Sequence, residues 1–122
     1  MKKINKGDIY YAILDPIIGS EQNGTRPVVI IQNDVGNKYS PTVLVAPLSS
    51  RAKNKHKIPT HFFIKANNNI KHDSIVLLEQ IRVLDKSRLI SYVDTLTDEQ
   101  IKDIDNRIKI SFNLNMEYKN YE

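Results

Sequence analysis

The residues best equipped for chemistry lie in one stretch between two apolar runs. Asp15 to Arg26 reads Asp-Pro-Ile-Ile-Gly-Ser-Glu-Gln-Asn-Gly-Thr-Arg, delivering a hydroxyl (Ser20), a carboxylate (Glu21), an amide (Gln22) and a guanidinium (Arg26) to the head of the next run. A connection of about a dozen residues exceeds what a hairpin needs, and such loops in small domains usually carry function. Arg26 directly precedes Pro27, which disfavours helical backbone at position 26 and holds the guanidinium at the start of a strand. A guanidinium is a permanent cation with a planar donor fork, suited to phosphate or carboxylate oxygens and unsuited to shuttling protons near neutral pH. Read alone, Arg26 either pairs with Glu21 on the surface or faces an anionic ligand.

A second stretch, Arg51-Ala-Lys-Asn-Lys-His-Lys57, carries four permanent cations and no acid. Lys53, Lys55 and Lys57 are therefore candidates to hold nucleic-acid phosphates, the alternative being a solvated loop. The chain as a whole has 18 Lys and Arg against 14 Asp and Glu, a net of +4. The excess is uneven: residues 1–65 hold ten cations and four acids, whereas residues 66–122 hold eight cations and ten acids. A polyanion would dock on the first half. His56, His61 and His72 are scattered, with no carboxylate at ligand spacing, so neither a metal site nor a cofactor is expected. Cysteine is absent, which excludes disulfides and thiolate chemistry and agrees with a reducing cytoplasm, the expected location. The longest apolar runs, such as Pro27–Ile31, fall far short of the ~20 residues of a membrane span.

These residues need a scaffold, and the hydrophobic pattern supplies one. Asp8–Leu14, Pro27–Gln32, Thr42–Ala46, Thr60–Ile64 and Ser74–Leu78 are short and rich in β-branched and aromatic residues, as strands are. Gln80–Leu84 and the segment around Ile90–Val93 complete a sheet, with Asp85–Leu89 between them as a turn or short helix. Many short strands at short spacing predict a small closed or nearly closed barrel. Adjacent aromatics in a strand face opposite ways, so Tyr10, Tyr11, Phe62 and Phe63 read as core and dimer-contact residues rather than base-stacking platforms. The period then changes: Ile101, Ile104, Ile108 and Phe112 recur at helical intervals, Thr97 and Gln100 form a capping box, and Leu96 staples onto Ile101. One helix, about Asp98 to Leu114, should pack its isoleucine face on the barrel, making residues 1–114 a single domain with a polar tail at 115–122.

Lys6-Gly7-Asp8-Ile9-Tyr10, Gly19-Ser20-Glu21-Gln22, Thr25-Arg26-Pro27-Val28, Ile31-Gln32-Asn33-Asp34, Tyr39-Ser40-Pro41-Thr42, Pro59-Thr60-His61 and Leu78-Glu79-Gln80-Ile81-Arg82 resemble, in order and spacing, the MazF/PemK toxins of type II toxin–antitoxin pairs. The likeness runs from about Lys6 to Leu114 and is nearest to the toxins of low-GC Gram-positive bacteria. Seven short matches in order over one domain make it specific. The resemblance implies a mainly β fold, a small SH3-like (CcdB/PemK-type) barrel with a C-terminal helix, assembled as a homodimer. It also implies an endoribonuclease, an mRNA interferase, that cuts single-stranded RNA without a metal and is neutralised by a cognate MazE-like antitoxin with an acidic tail.

The family's functional positions carry over one at a time. The arginine of its Gly-x-Arg-Pro element matches Arg26, and the hydroxyl after its third strand matches Ser49, where many relatives have threonine. Ser20 and Glu21 match loop residues around the scissile nucleotide, Gln80 matches one on the groove floor, and His61 falls among the matched RNA-binding segments. In this reading Arg26 and Ser49 stabilise phosphate charge, while Glu21 is either a base that orients Arg26 or a reader of a base edge. Two alternatives share the barrel. A CcdB-like gyrase inhibitor would be expected to carry a tryptophan near its C-terminus, and this chain has no tryptophan. A non-catalytic RNA- or peptide-binding barrel would lack the joint Arg26 and Ser49 pair.

Overall fold

The computed structural model describes residues 2–50 and 58–114. Lys53, Lys55, Lys57 and the tail 115–122 lie outside the described residues. In chain order the elements are β1 (Asp8–Ile13), β2 (Thr25–Ile30), α1 (Asp34–Tyr39), β3 (Thr42–Ser49), β4 (His61–Ile64), β5 (Ser74–Leu77), β6 (Arg82–Asp85), a single 3-10 turn (Lys86–Arg88), β7 (Leu89–Thr95) and α2 (Asp98–Ser111). Every pairing is antiparallel. Among the described residues, no helix is long and apolar enough to cross a membrane.

The order β6-β3-β2-β1-β7 forms a curled sheet whose two outer strands are joined only by the 3-10 turn, so it nearly closes on itself. Register shifts between β1 and β7, at Ile9/Tyr10 and Tyr11/Ala12, add the local twist that such closure requires. Residue alternation then sorts the side chains. Tyr10, Ala12, Val28, Ile30, Val43 and Val45 fill the barrel with Leu84 and Leu89. Their neighbours Ile9, Val29, Ala46 and Leu48 point outward into a second core with β4, β5 and α2. Each aliphatic side chain buried in this way contributes about 1.5–3 kcal/mol.

The capping box that opens α2 is present: Thr97 Oγ1 accepts from Gln100 N at 3.1 Å, and Gln100 Oε1 accepts from Thr97 N at 2.9 Å. Ile104 is the buried centre of the helix face, with Ile101 and Ile108 packed beside it and Leu96 in the same cluster. Gly7 permits this docking. Its φ is +90°, and a Cβ there would come within 2.4 Å of Ile101 Cδ1.

The structure departs from the sequence pattern in three places. Phe112 ends α2 as its cap residue and is 54% exposed, so the packed face stops at Ile108. β3 runs on to Ser49 and β6 begins at Arg82, because both strands pair with partners remote in sequence. Helix α1 has no apolar face to announce it, since Val35 and Tyr39 are both exposed. It is held instead by polar bonds: Asn33 Oδ1 caps Gly36 N at 2.8 Å, and buried Asn37 donates to Gln32 O at 2.9 Å.

Tyr10 sets a pH limit on the barrel. It is 1% exposed, packs edge-to-face on Tyr92 at 5.7 Å, and its hydroxyl has no hydrogen-bond partner among the described residues. Burial, then the Asp8 carboxylate and Tyr92, push its phenol above the ordinary value. A raised folded-state pKa means that the stabilising contribution is complete below the unfolded pKa of about 10 and is lost as pH climbs through the folded value. Tyr10→Phe should therefore match or exceed the parent in urea midpoint at neutral pH and lose less stability between about pH 9 and 11. An equally steep alkaline decline in the variant would show that Tyr10 is not the titrating group.

Candidate functional site

The connection from β1 to β2 is organised by its own backbone and by one carboxylate. Leu14 N donates to Gly24 O at 2.9 Å and closes the loop at its base. Inside it, Glu21 Oε1 accepts from Ile18 N at 3.0 Å and Glu21 N donates to Ile18 O at 3.3 Å, around Gly19 at φ +58°. Arg26 is fixed at the exit. Its Nε donates to Asn23 O at 2.7 Å, and Nη1 reaches Leu48 O on β3 at 3.4 Å. Continuing the β2–β3 register past Val28↔Pro47 brings Arg26 opposite Ser49. Ser49 is 2% exposed, whereas the next residue, Ser50, is exposed.

Two hollows open on this end of the sheet, and their charges differ. One, of about 330 Å³, has an apolar floor of Tyr11, Pro27 and Leu48 and a rim carrying Arg26, Ser50, Lys71 and His72. The other, of about 350 Å³, is lined by Glu21, Gln22, Glu79, Gln80 and Arg82 over Leu14 and Pro47. Arg26 and Glu21 thus face different hollows. The basic hollow suits phosphate oxygens, and the carboxylate-rich one suits groups with N–H donors.

His61 is 3% exposed, with Nε2 2.9 Å from Glu79 Oε2, while Thr60 Oγ1 donates to Glu79 Oε1 at 3.3 Å. The ring's Nε2 is engaged by Glu79. Its position supports Glu79 at the edge of the acidic hollow. Helix α2 buttresses this corner: Arg107 Nη1 donates to Pro59 O at 3.0 Å and His61 O at 2.8 Å, and its guanidinium lies 5.9 Å from the Phe62 ring centroid.

Of the residues singled out in the sequence, Arg26 and Ser49 come together across β2 and β3, and Glu21 and Gln80 come together in the acidic hollow. Ser20 is exposed on the loop beside Glu21. Lys71, His72 and Ser50 on the basic rim, and Glu79 and Arg82 in the other hollow, were not singled out. The reason is topological. β3 pairs with β5 at Leu48↔Val76 and Ser49↔Ile75, which brings the residues before Ser74 beside the end of β3, a pairing that no local pattern announces. Among the described residues, no three His, Asp or Glu side chains cluster as metal ligands would.

A near-closed antiparallel barrel, backed by one helix and carrying a fixed guanidinium beside a strand-end serine, defines a small β-barrel protein with a basic hollow at its sheet end. Sequence comparison narrows this class. The chain belongs to the PemK-like, MazF-like family of toxins of type II toxin–antitoxin systems, whose family model matches residues 5–112. It is 54% identical over 112 residues to the endoribonuclease MazF of Staphylococcus saprophyticus, covering 91% of this chain and 92% of that protein. MazF of Deinococcus radiodurans superposes with a TM-score of 0.78 at 20% identity, covering 93% of this chain and 99% of that one. The Mycobacterium tuberculosis toxin MazF-mt6 gives 0.74 at 22% identity over 88% and 98%. A mycobacterial endoribonuclease in complex with its cognate antitoxin gives 0.71 at 18% identity over 93% and 96%. At these identities the three structures speak for the shared fold.

The Arg107 buttress is open to test. Arg107→Met removes the donor to Pro59 O and His61 O together with the exposed Asp103 partner and the guanidinium beside Phe62, and should lower unfolding free energy by about 1–2 kcal/mol. An unchanged urea midpoint would mean that these two carbonyls do not depend on α2.

Proposed function

We propose that this protein is a metal-independent endoribonuclease toxin that cleaves single-stranded RNA by attack of a ribose 2′-OH on its own phosphate. In that reaction the 2′ oxygen forms a bond to phosphorus and the bond to the 5′ oxygen breaks. The 2′-OH gives up its proton and the leaving 5′ oxygen gains one, so the products are a 2′,3′-cyclic phosphate and a free 5′-OH. The observation that carries the reading is Arg26, tethered by Asn23 O and Leu48 O at the rim of a basic hollow and in register with Ser49. Its 54% identity to an endoribonuclease MazF over most of both chains supports the same activity.

Arg26 donates to the non-bridging oxygens as charge grows on them, and Ser49 adds a neutral donor. Such preorganised donors cost no rearrangement at the moment of reaction. A guanidinium is a permanent cation, so Arg26 holds charge rather than moving protons. Glu21 takes the base-reading role of the two that the sequence leaves open, because it lines the hollow shared with Gln80 and Glu79. Ser20 adds a hydroxyl on the same loop, His61 acts from beneath through Glu79, and Lys53, Lys55 and Lys57 hold flanking phosphates. The active unit is a homodimer that places both basic halves along one groove, which also attracts the acidic tail of a MazE-like antitoxin, so inhibition is competitive with RNA.

Purified protein should cut single-stranded RNA in excess EDTA, and replacing the 2′-OH at the cut site by hydrogen should block cleavage while sparing binding. Mass spectrometry of the products should find the cyclic phosphate. Complete loss of cutting in EDTA would overturn the mechanism.

Arg26→Ala should slow cleavage of a defined oligonucleotide by at least about 10²- to 10³-fold with the fold intact. Ser49→Ala should cost less, since a neutral hydroxyl stabilises developing charge less than a guanidinium does. Near-normal turnover by Arg26→Ala would move the active site elsewhere.

A further inference from the structure

Resting on the reading of Glu21 as a base-facing group, we infer that the segment from Gln80 to Arg88 is a clamp that holds the β1–β2 loop in its RNA-competent shape, with Gln80 as its latch. Gln80 is then a positioning residue for Ser20 and Glu21. Gln22 N donates to Gln80 Oε1 at 3.0 Å, a bond spanning 58 residues of sequence. Arg82 Nη1 donates to Leu14 O at 3.1 Å, and Arg88 Nη1 donates to Ile13 O at 3.1 Å and also to Asp15 O. The start of the loop, at residues 13–15, and its far arm, at Gln22, are thus tied to one continuous stretch of chain. Between these ties lie Ile18 and Ser20, both exposed, and Glu21, whose link to Ile18 N is internal to the loop. Glu21 is placed relative to the barrel from both sides: Ile17 packs on the barrel core before it, and the bonds made by Gln22 N and Asn23 O follow one and two residues after it.

The latch also fixes Gln80 itself. A backbone N–H can only donate, so the carboxamide oxygen must face Gln22, and the orientation of the amide is set by that bond. Its Nε2 is left as an oriented donor in the hollow that Glu21 and Glu79 also line. Loop and floor therefore order one another. A loop that samples other shapes binds RNA more weakly in proportion to the fraction of time it is unlatched. Arg26 keeps its tie to Leu48 O on β3, which does not pass through the latch, so loss of the latch should raise KM more than it lowers kcat.

Amide exchange in the RNA-free protein, read by NMR, tests the latch without reference to activity. Gln80→Met is nearly isosteric and loses the acceptor, and should speed exchange at Gln22 by about tenfold. The amides of Val29 and Val45 in the barrel serve as the internal reference, since general destabilisation would accelerate them as well. Gln80→Glu keeps an acceptor oxygen, whether ionised or protonated, and should retain protection at Gln22 when salt screens the Glu21 and Glu79 carboxylates. Unchanged exchange at Gln22 in Gln80→Met, or exchange as fast in Gln80→Glu as in Gln80→Met, would overturn the clamp and leave the ribonuclease reading untouched. Failure of all RNA cleavage by the parent protein, with the exchange pattern as expected, would overturn that reading and leave the clamp standing.

Discussion

Strand β3 has three partners, and the rest of the molecule depends on that division. Along one edge it pairs with β2; along the other its first half, from Thr42 to Val45, pairs with β6, and its end, at Leu48 and Ser49, pairs with β5. The switch from one neighbour to the other lets a single sheet both curl into a barrel and extend a flap. Val43 and Val45 fill the barrel, and Ala46 and Leu48 fill the layer between barrel, flap and helix. No one-residue slip of β3 is tolerable, because it would exchange the two sets of side chains between cores. The same register carries Ser49 to Arg26 and the residues before Ser74 to the rim of the basic hollow.

The site is built where the regular pairing ends. β2 and β3 stay in register up to the mouth of the barrel, so Arg26 and Ser49 are positioned by the whole sheet, Arg26 lining a hollow and Ser49 buried beside it. Rigidity and access normally conflict, and strand ends reconcile them because the backbone is ordered up to the last bonded pair. Arg26 illustrates this, being anchored through two backbone carbonyls and thus spending part of its donor fork on its own positioning. The loop ahead of it is less regular and takes its shape from bonds to Gln80, Arg82 and Arg88. Two hollows of different charge then take their walls from neighbouring residues of β3, one suited to a phosphate chain and the other to base edges. A strand of RNA presents both kinds of group at neighbouring positions, which a purely basic patch would not distinguish.

The sequence by itself determined the elements whose signals are local. The strands were legible because β-branched and aromatic residues alternate, and α2 was legible because Thr97, Gln100 and the isoleucines sit at fixed helical offsets. Arg26 was legible because Pro27 restricts it and the loop before it is too rich for a turn. Tertiary structure alone decided what depends on remote pairing. Helix α1 rests on Asn33 and Asn37 bonds rather than on an apolar stripe, so periodicity passes over it. His61 looks from its sequence neighbours like a surface ligand, yet the pairing of β4 with β5 buries it against Glu79, eighteen residues further on. Glu21 and Arg26 are five residues apart and face different hollows, whereas Gln22 and Gln80 are fifty-eight apart and share a hydrogen bond. Hydrophobic pattern and capping act over a few residues and can be read along the chain. The register of antiparallel strands acts across the fold, and it is register that sets which polar side chains meet.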